Sequence, residues 1–125
     1  MAKTVEEVQV HERAVDVAAE ISAIARRESF RRDPRLREQL VAGSERAASL
    51  IVEGLAQSTA RGAAQLLYRS RAAGRETLTH LVAAASRRHV STTERTRIAA
   101  KLEDIGHMLT AIIARLEAED LAARR

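Results

Sequence analysis

The chain of 125 residues has no cysteine, no tryptophan, one proline, one tyrosine and one phenylalanine. Lack of cysteine excludes a disulfide framework, a thiolate zinc site, an iron–sulfur cluster and a cysteine nucleophile, leaving only oxygen and nitrogen groups for chemistry. Scarcity of aromatics removes the stacking platforms that hold single-stranded nucleic acids. No stretch approaches the roughly 20 apolar residues of a membrane span, and no apolar run follows a basic start at the N-terminus. The expectation is therefore a soluble, cytoplasmic protein without a membrane partner.

What is abundant favours helix. The chain holds 25 Ala and 19 Arg, with 46% apolar and 30% charged residues and only five Gly. These are strong helix formers, while strand formers are sparse. A chain of this length buries enough surface for one core but not for two, so a single domain spanning residues 1–125 is expected.

Apolar periodicity divides the chain into four helices. Ile98, Leu102, Ile105, Leu109, Ile112 and Leu116 alternate steps of four and three behind a capping box, Ser91 with Glu94, and predict a helix over 92–121. Leu36, Leu40, Gly43, Ala47, Leu50 and Gly54 repeat that alternation behind the N-cap candidate Asp33 and Pro34, predicting a helix over 34–56. Gly43, Ala47 and Gly54 let a neighbouring backbone approach this seam. Between them Leu66, Leu67, Ala73, Gly74, Leu78, Leu81 and Ala85 predict a helix over 60–88. Near the N-terminus Val8, Val15, Ala18, Ile21 and Ala25, flanked by Val17 and Ile24, predict one over 5–27. Short connections make sequential helices antiparallel, so the predicted fold is all-α, an up-down-up-down four-helix bundle. Alanine spread over more than one face of each helix leaves apolar surface for self-association.

Charge is concentrated. Net charge is +4, yet the first connection, residues 26–37, sets Arg26, Arg27, Arg31, Arg32, Arg35 and Arg37 against only Glu28 and Asp33. The third connection, residues 87–97, sets Arg87, Arg88, Arg95 and Arg97 against Glu94, with His89 among them. In an up-down-up-down bundle these two connections share one end. The result is a basic pole suited to a polyanion, because arginine forks match phosphate oxygens and counterion release supplies affinity. With base-stacking aromatics absent, contact would be directed at the backbone. Arginine is equally at home in helices and near their C-termini, so the same charge can serve solubility alone.

No pattern points to catalysis. Glu76 with His80 and Glu103 with His107 stand four apart on the last two helices, whereas bundle di-iron sites space Glu and His by three and add inward glutamates. Surface ion pairing explains them better. Ser44, Ser49, Ser70 and Ser86 lack a nucleophile-elbow context, and there is no glycine-rich phosphate loop. Phe30 and Tyr68 read as packing residues. The expectation is a protein that is not an enzyme, with no cofactor and no metal.

From Gln39-Leu40 through Ser49, Ile51, Glu53 and Gly54 the sequence resembles, without gaps, the Q-L-x-x-A-x-x-S-I-x-x-N-I-A-E-G run of ribosomal RNA intervening-sequence proteins. Arg71 and Glu76 fall on that family's A-R-G-S-L-x-E segment, and Leu81 through Ser91 on its L-x-x-A-x-x-x-x-x-L-S stretch. Ile105-Gly106-His107-Met108-Leu109 is similar to its I-G-K-M-L. Leu50 stands in place of the family's Asn, Ala48 of its Pro, Arg46 of a Ser and Val52 of an Ala. The last helix is also similar to that of the accessory variability determinant of diversity-generating retroelements. The resemblance runs from about Val10 to Leu116. It implies a cytoplasmic bacterial four-helix bundle assembled as a homopentamer, with nucleic-acid binding suspected. The retroelement branch adds a reverse transcriptase as partner, and neither branch implies catalysis by the bundle.

The functional expectation is a homo-oligomer, pentameric by the resemblance, whose arginine pole binds RNA or DNA backbone, as accessory to a nucleic-acid enzyme. Candidate contacts are Arg26, Arg27, Arg31, Arg32, Arg35, Arg37, Arg87, Arg88 and Arg95. The alternative is an oligomeric scaffold that binds protein and has no nucleic-acid role.

Overall fold

The computed structural model describes residues 3–125. Four helices follow one another: α1 (Val5–Ala25), α2 (Pro34–Leu55), α3 (Ala60–Ser86) and α4 (Thr92–Ala123), with a 3₁₀ turn at Glu28–Arg32 between the first two. They start where the sequence places them and end within two residues of expectation. α1 packs on α2 and α4, and α3 packs on the same two helices, closing an antiparallel four-helix bundle.

Side-chain caps mark the starts of three helices. Ser91 and Glu94 form the expected capping box at α4, and Thr4 with Glu7 forms a second at α1. Thr59 caps α3 by accepting from the Gly62 amide at 3.0 Å. Asp33 does not cap α2 through its side chain; its carboxylate is drawn instead to Arg87 and His89, a long-range contact that no local rule could reveal.

On α4 all six stripe residues are buried, together with Ile113. The C-terminal half of α1 follows expectation, with Ile21 and Ala25 of the stripe and the flanking Val17 and Ile24 buried, but its N-terminal half is turned: Val10 and Ala14 face the core, Val8 and Val15 are exposed, and Ala18 is half-buried. Two apolar faces coexist on α1, and the one carrying both isoleucines removes more area from water when it turns inward. On α2 Ile51 rather than Leu50 is buried. On α3 the seam runs through Leu67, Ser70, Ala73, Thr77, Leu81 and Ala84, leaving Leu66, Leu78 and Ala85 only partly covered. Ser70 and Thr77 escape a hydropathy reading because their hydroxyls, once bonded to backbone, are tolerated in the core. Ser70 Oγ donates across to Ala47 O of α2 at 2.7 Å, and Thr77 Oγ1 donates to Ala73 O at 2.8 Å.

The α2–α3 contact is the close approach expected of its glycines. A Cβ on Gly43 would stand 2.7 Å from Thr77 Oγ1, and one on Gly54 3.0 Å from Leu67 Cδ2.

Candidate nucleic-acid interface

The C-termini of α1 and α3 and the N-termini of α2 and α4 meet at one end of the bundle, and the first and third connections are tied together there. Phe30, carried inward by the 3₁₀ turn, is fully buried and stacks on the His89 ring, centroids 4.2 Å apart and planes 19° from parallel. His89 Nδ1 lies 2.9 Å from Ser29 Oγ and Nε2 2.9 Å from Asp33 Oδ2. Arg87 donates to the other oxygen of Asp33 at 2.8 Å. From the opposite side Arg27 donates to His89 O and to Glu94 Oε1, both at 3.0 Å, and through Nη2 to Glu94 Oε2.

These contacts shift the carboxylates. The hydrogen bond from His89, then that from Arg87, holds Asp33 below the ordinary carboxylate range. Glu94 is pulled down to about 2, first by Arg27 and then by the Ser91 amide. Both acids stay charged across the neutral range.

The nine candidate arginines thus divide. Arg27 and Arg87 are cross-links between connections, and Arg31 makes only a solvated pair with Glu28 at 3.3 Å. Among the described residues, Arg26, Arg32, Arg35, Arg37, Arg88 and Arg95 have no side-chain partner. Arg88 adopts φ 65°, a left-handed conformation uncommon outside glycine. It stands at the C′ position of a Schellman motif, with His89 N donating to Ala84 O at 2.9 Å and Arg88 N to Ala85 O at 3.0 Å. Arg97, counted with the third connection by charge, turns away to pair with Glu20 beside Lys101.

Counting charge along the sequence finds the pole but not its internal pairing. The signal for the pairing was present in Asp33 and Glu94, isolated acids within arginine-rich connections, and in Ser29 beside them.

The motif residues serve the bundle in different ways. Ile51 and Gly54 are core, and Ser49 Oγ donates to Arg46 O of its own helix at 3.2 Å. Glu53 is exposed. Gln39 lines a polar groove between α2 and α3 beside His80, where Glu76 pairs with Arg46 at 3.2 Å. Arg71 donates to Thr110 Oγ1 at 2.9 Å and lies 4.8 Å over the Tyr68 ring. Tyr68, expected to pack inside, is 41% exposed and bonds Glu117; an outward α3 position lets its hydroxyl stay hydrated. Among the described residues no group of three or more His, Asp or Glu side chains could hold a metal, and no helix is long and apolar enough to cross a membrane.

Fold and site together define a helical-bundle protein with a cross-linked, arginine-rich end. The chain belongs to the 23S rRNA-intervening sequence protein family, whose profile matches residues 6–111. No curated protein and no solved structure matches it significantly.

Proposed function

We propose that this protein is a non-enzymatic, cytoplasmic homo-oligomer whose arginine pole binds the phosphate backbone of RNA or DNA. The observation that supports this most is the split among the arginines. Arg27 and Arg87 lock the two connections together, and Arg26, Arg32, Arg35, Arg37, Arg88 and Arg95 have no side-chain partner among the described residues on that frame. Six guanidiniums unpaired among the described residues at one end suit an extended polyanion better than a single small anion. Phe30, the aromatic of these connections, is buried and offers no base-stacking platform, which favours backbone-directed binding.

Self-association is supported by a separate face. Val8 and Val15 of α1 and Val52 of α2 are each more than 40% exposed, and Val15 and Val52 line one groove with Ala18, Ala48 and Ser49. Buried against another copy, this face would remove apolar area that a monomer leaves in water. A pentamer, as the family resemblance implies, would bring five poles into one array.

The test is binding of a structured RNA across roughly 50 to 300 mM salt, with light scattering for assembly size. A steep loss of affinity with salt is expected, and changing Arg26, Arg32, Arg35 and Arg88 to Gln should reduce the slope by about 0.9 per lost duplex contact. Salt-insensitive binding, or an unchanged slope in that variant, overturns the reading in favour of a protein-binding scaffold.

A further inference from the structure

Inside the bundle, lined by none of the candidate arginines of the pole, lies a cavity of about 150 Å³. α1 and α2 contribute only buried residues to it, Ala14, Val17, Ser44 and Ala47. Every exposed residue of its wall belongs to α3 or α4, so it opens between those two helices.

Its floor offers water little. The Ser44 hydroxyl donates to Leu40 O at 2.9 Å, and that of Ser70 donates to Ala47 O at 2.7 Å. Both donors are therefore spent on backbone, and the remaining floor is aliphatic. Largely apolar cavities of roughly this size accept a single ring, on the order of benzene.

Its mouth is held open by two glycines. Gly43 and Gly54 are explained by close packing, but a Cβ on Gly74 or Gly106 would meet no described atom within 4 Å beyond its own helix backbone. Glycine inside a helix is disfavoured against alanine, and neither position has a packing reason to forgo the methyl group. Together they thin the α3 and α4 walls where the cavity meets solvent.

The rim carries charge. Arg71 is oriented across it by its bond to Thr110, Arg75 is exposed with no side-chain partner among the described residues, and Glu103 is the one acidic group in the wall. Two guanidiniums against one carboxylate favour an anion at the entrance.

We propose that this cavity is a binding site for a small carboxylate bearing one ring or a branched aliphatic group, with the apolar part inserted between α3 and α4 and the carboxylate held by Arg75 and Arg71. It rests on none of the residues assigned to the pole, so the two readings stand or fall separately.

The experiment is calorimetric titration of the full chain with benzoate and with benzyl alcohol, its uncharged counterpart, while methyl NMR follows Leu102, Ile105 and Leu109. Saturable shifts of those methyls are expected with benzoate, and about tenfold weaker binding of benzyl alcohol, the range set by one charge-assisted hydrogen bond. Gly106→Leu should plug the mouth and lower affinity for both compounds at least about tenfold. Arg75→Gln, an exposed change that leaves the core intact and keeps Arg71, should weaken benzoate roughly threefold or more while leaving benzyl alcohol unchanged. Absence of saturable binding, equal affinity for the two compounds, or undiminished binding by a folded Gly106→Leu variant overturns the proposal. Should Gly106→Leu fail to fold, Arg75→Gln decides, and unchanged benzoate affinity there overturns it.

Discussion

The His89 ring lies flat against Phe30, 4.2 Å between centroids, with Asp33 and Ser29 engaging its two nitrogens. Residues some 60 positions apart in sequence are thereby joined, and the two arginine-rich connections become one surface instead of two independent loops. Rigidity of this kind lowers the ordering cost of binding to the arginines around it.

Phe30→Ala should destabilise the bundle by about 3 kcal/mol, the low end for a fully buried phenylalanine, because it removes the ring and leaves a cavity beneath His89. Urea unfolding, read as a lower midpoint at unchanged slope, checks this. Phe30→Leu should recover most of the loss.

Glu94 has its folded pKa lowered from 4.5 to about 2. A group depressed on folding contributes stability that is present above its unfolded value and is lost as pH falls through the folded one. Thermal stability should therefore decline between about pH 4.5 and pH 2, and Glu94→Gln should flatten that part of the profile. At neutral pH the same substitution should cost about 1 kcal/mol, since it weakens the α4 capping box and breaks the Arg27 fork. Calorimetric scans at stepped pH provide both readings.

Arg88→Gly should raise stability by about 1 kcal/mol, because glycine occupies the left-handed C′ position without the steric cost that a side chain carries. If the pole binds phosphates, the same variant should bind RNA more weakly and with a shallower salt dependence. Opposite movement of melting temperature and affinity would mark a position where strain is kept for function.

Gly43→Ala and Gly106→Ala should move in opposite directions. At Gly43 the new methyl group would meet Thr77 Oγ1 at 2.7 Å, and overpacking there should outweigh the helix-propensity gain, for a net loss of about 1–2 kcal/mol. At Gly106 a Cβ would meet no described atom within 4 Å beyond its own helix backbone, so the propensity gain of up to about 1 kcal/mol should appear undiminished. Denaturant midpoints of the two variants distinguish a packing glycine from one that keeps an opening.

By itself the sequence determined the helical class, the helix starts, the α4 stripe and the placement of basic residues in the first and third connections. These follow from local causes: periodic apolar positions, the Ser91–Glu94 box, Pro34 in the first turn of α2, and composition. Only the tertiary structure decided which of two apolar faces of α1 turned inward, because Val8–Val15 and Val10–Val17 have the same period and only the partner helices choose between them. It likewise decided that Ser70 and Thr77 belong to the core, since their burial depends on the carbonyls that accept from them, including Ala47 O on another helix. The division of the arginines was also beyond the sequence. Whether Arg27 faces solvent or Glu94, and whether Asp33 caps α2 or holds His89, depends on distances between residues far apart in the chain, which exist only once the bundle has closed.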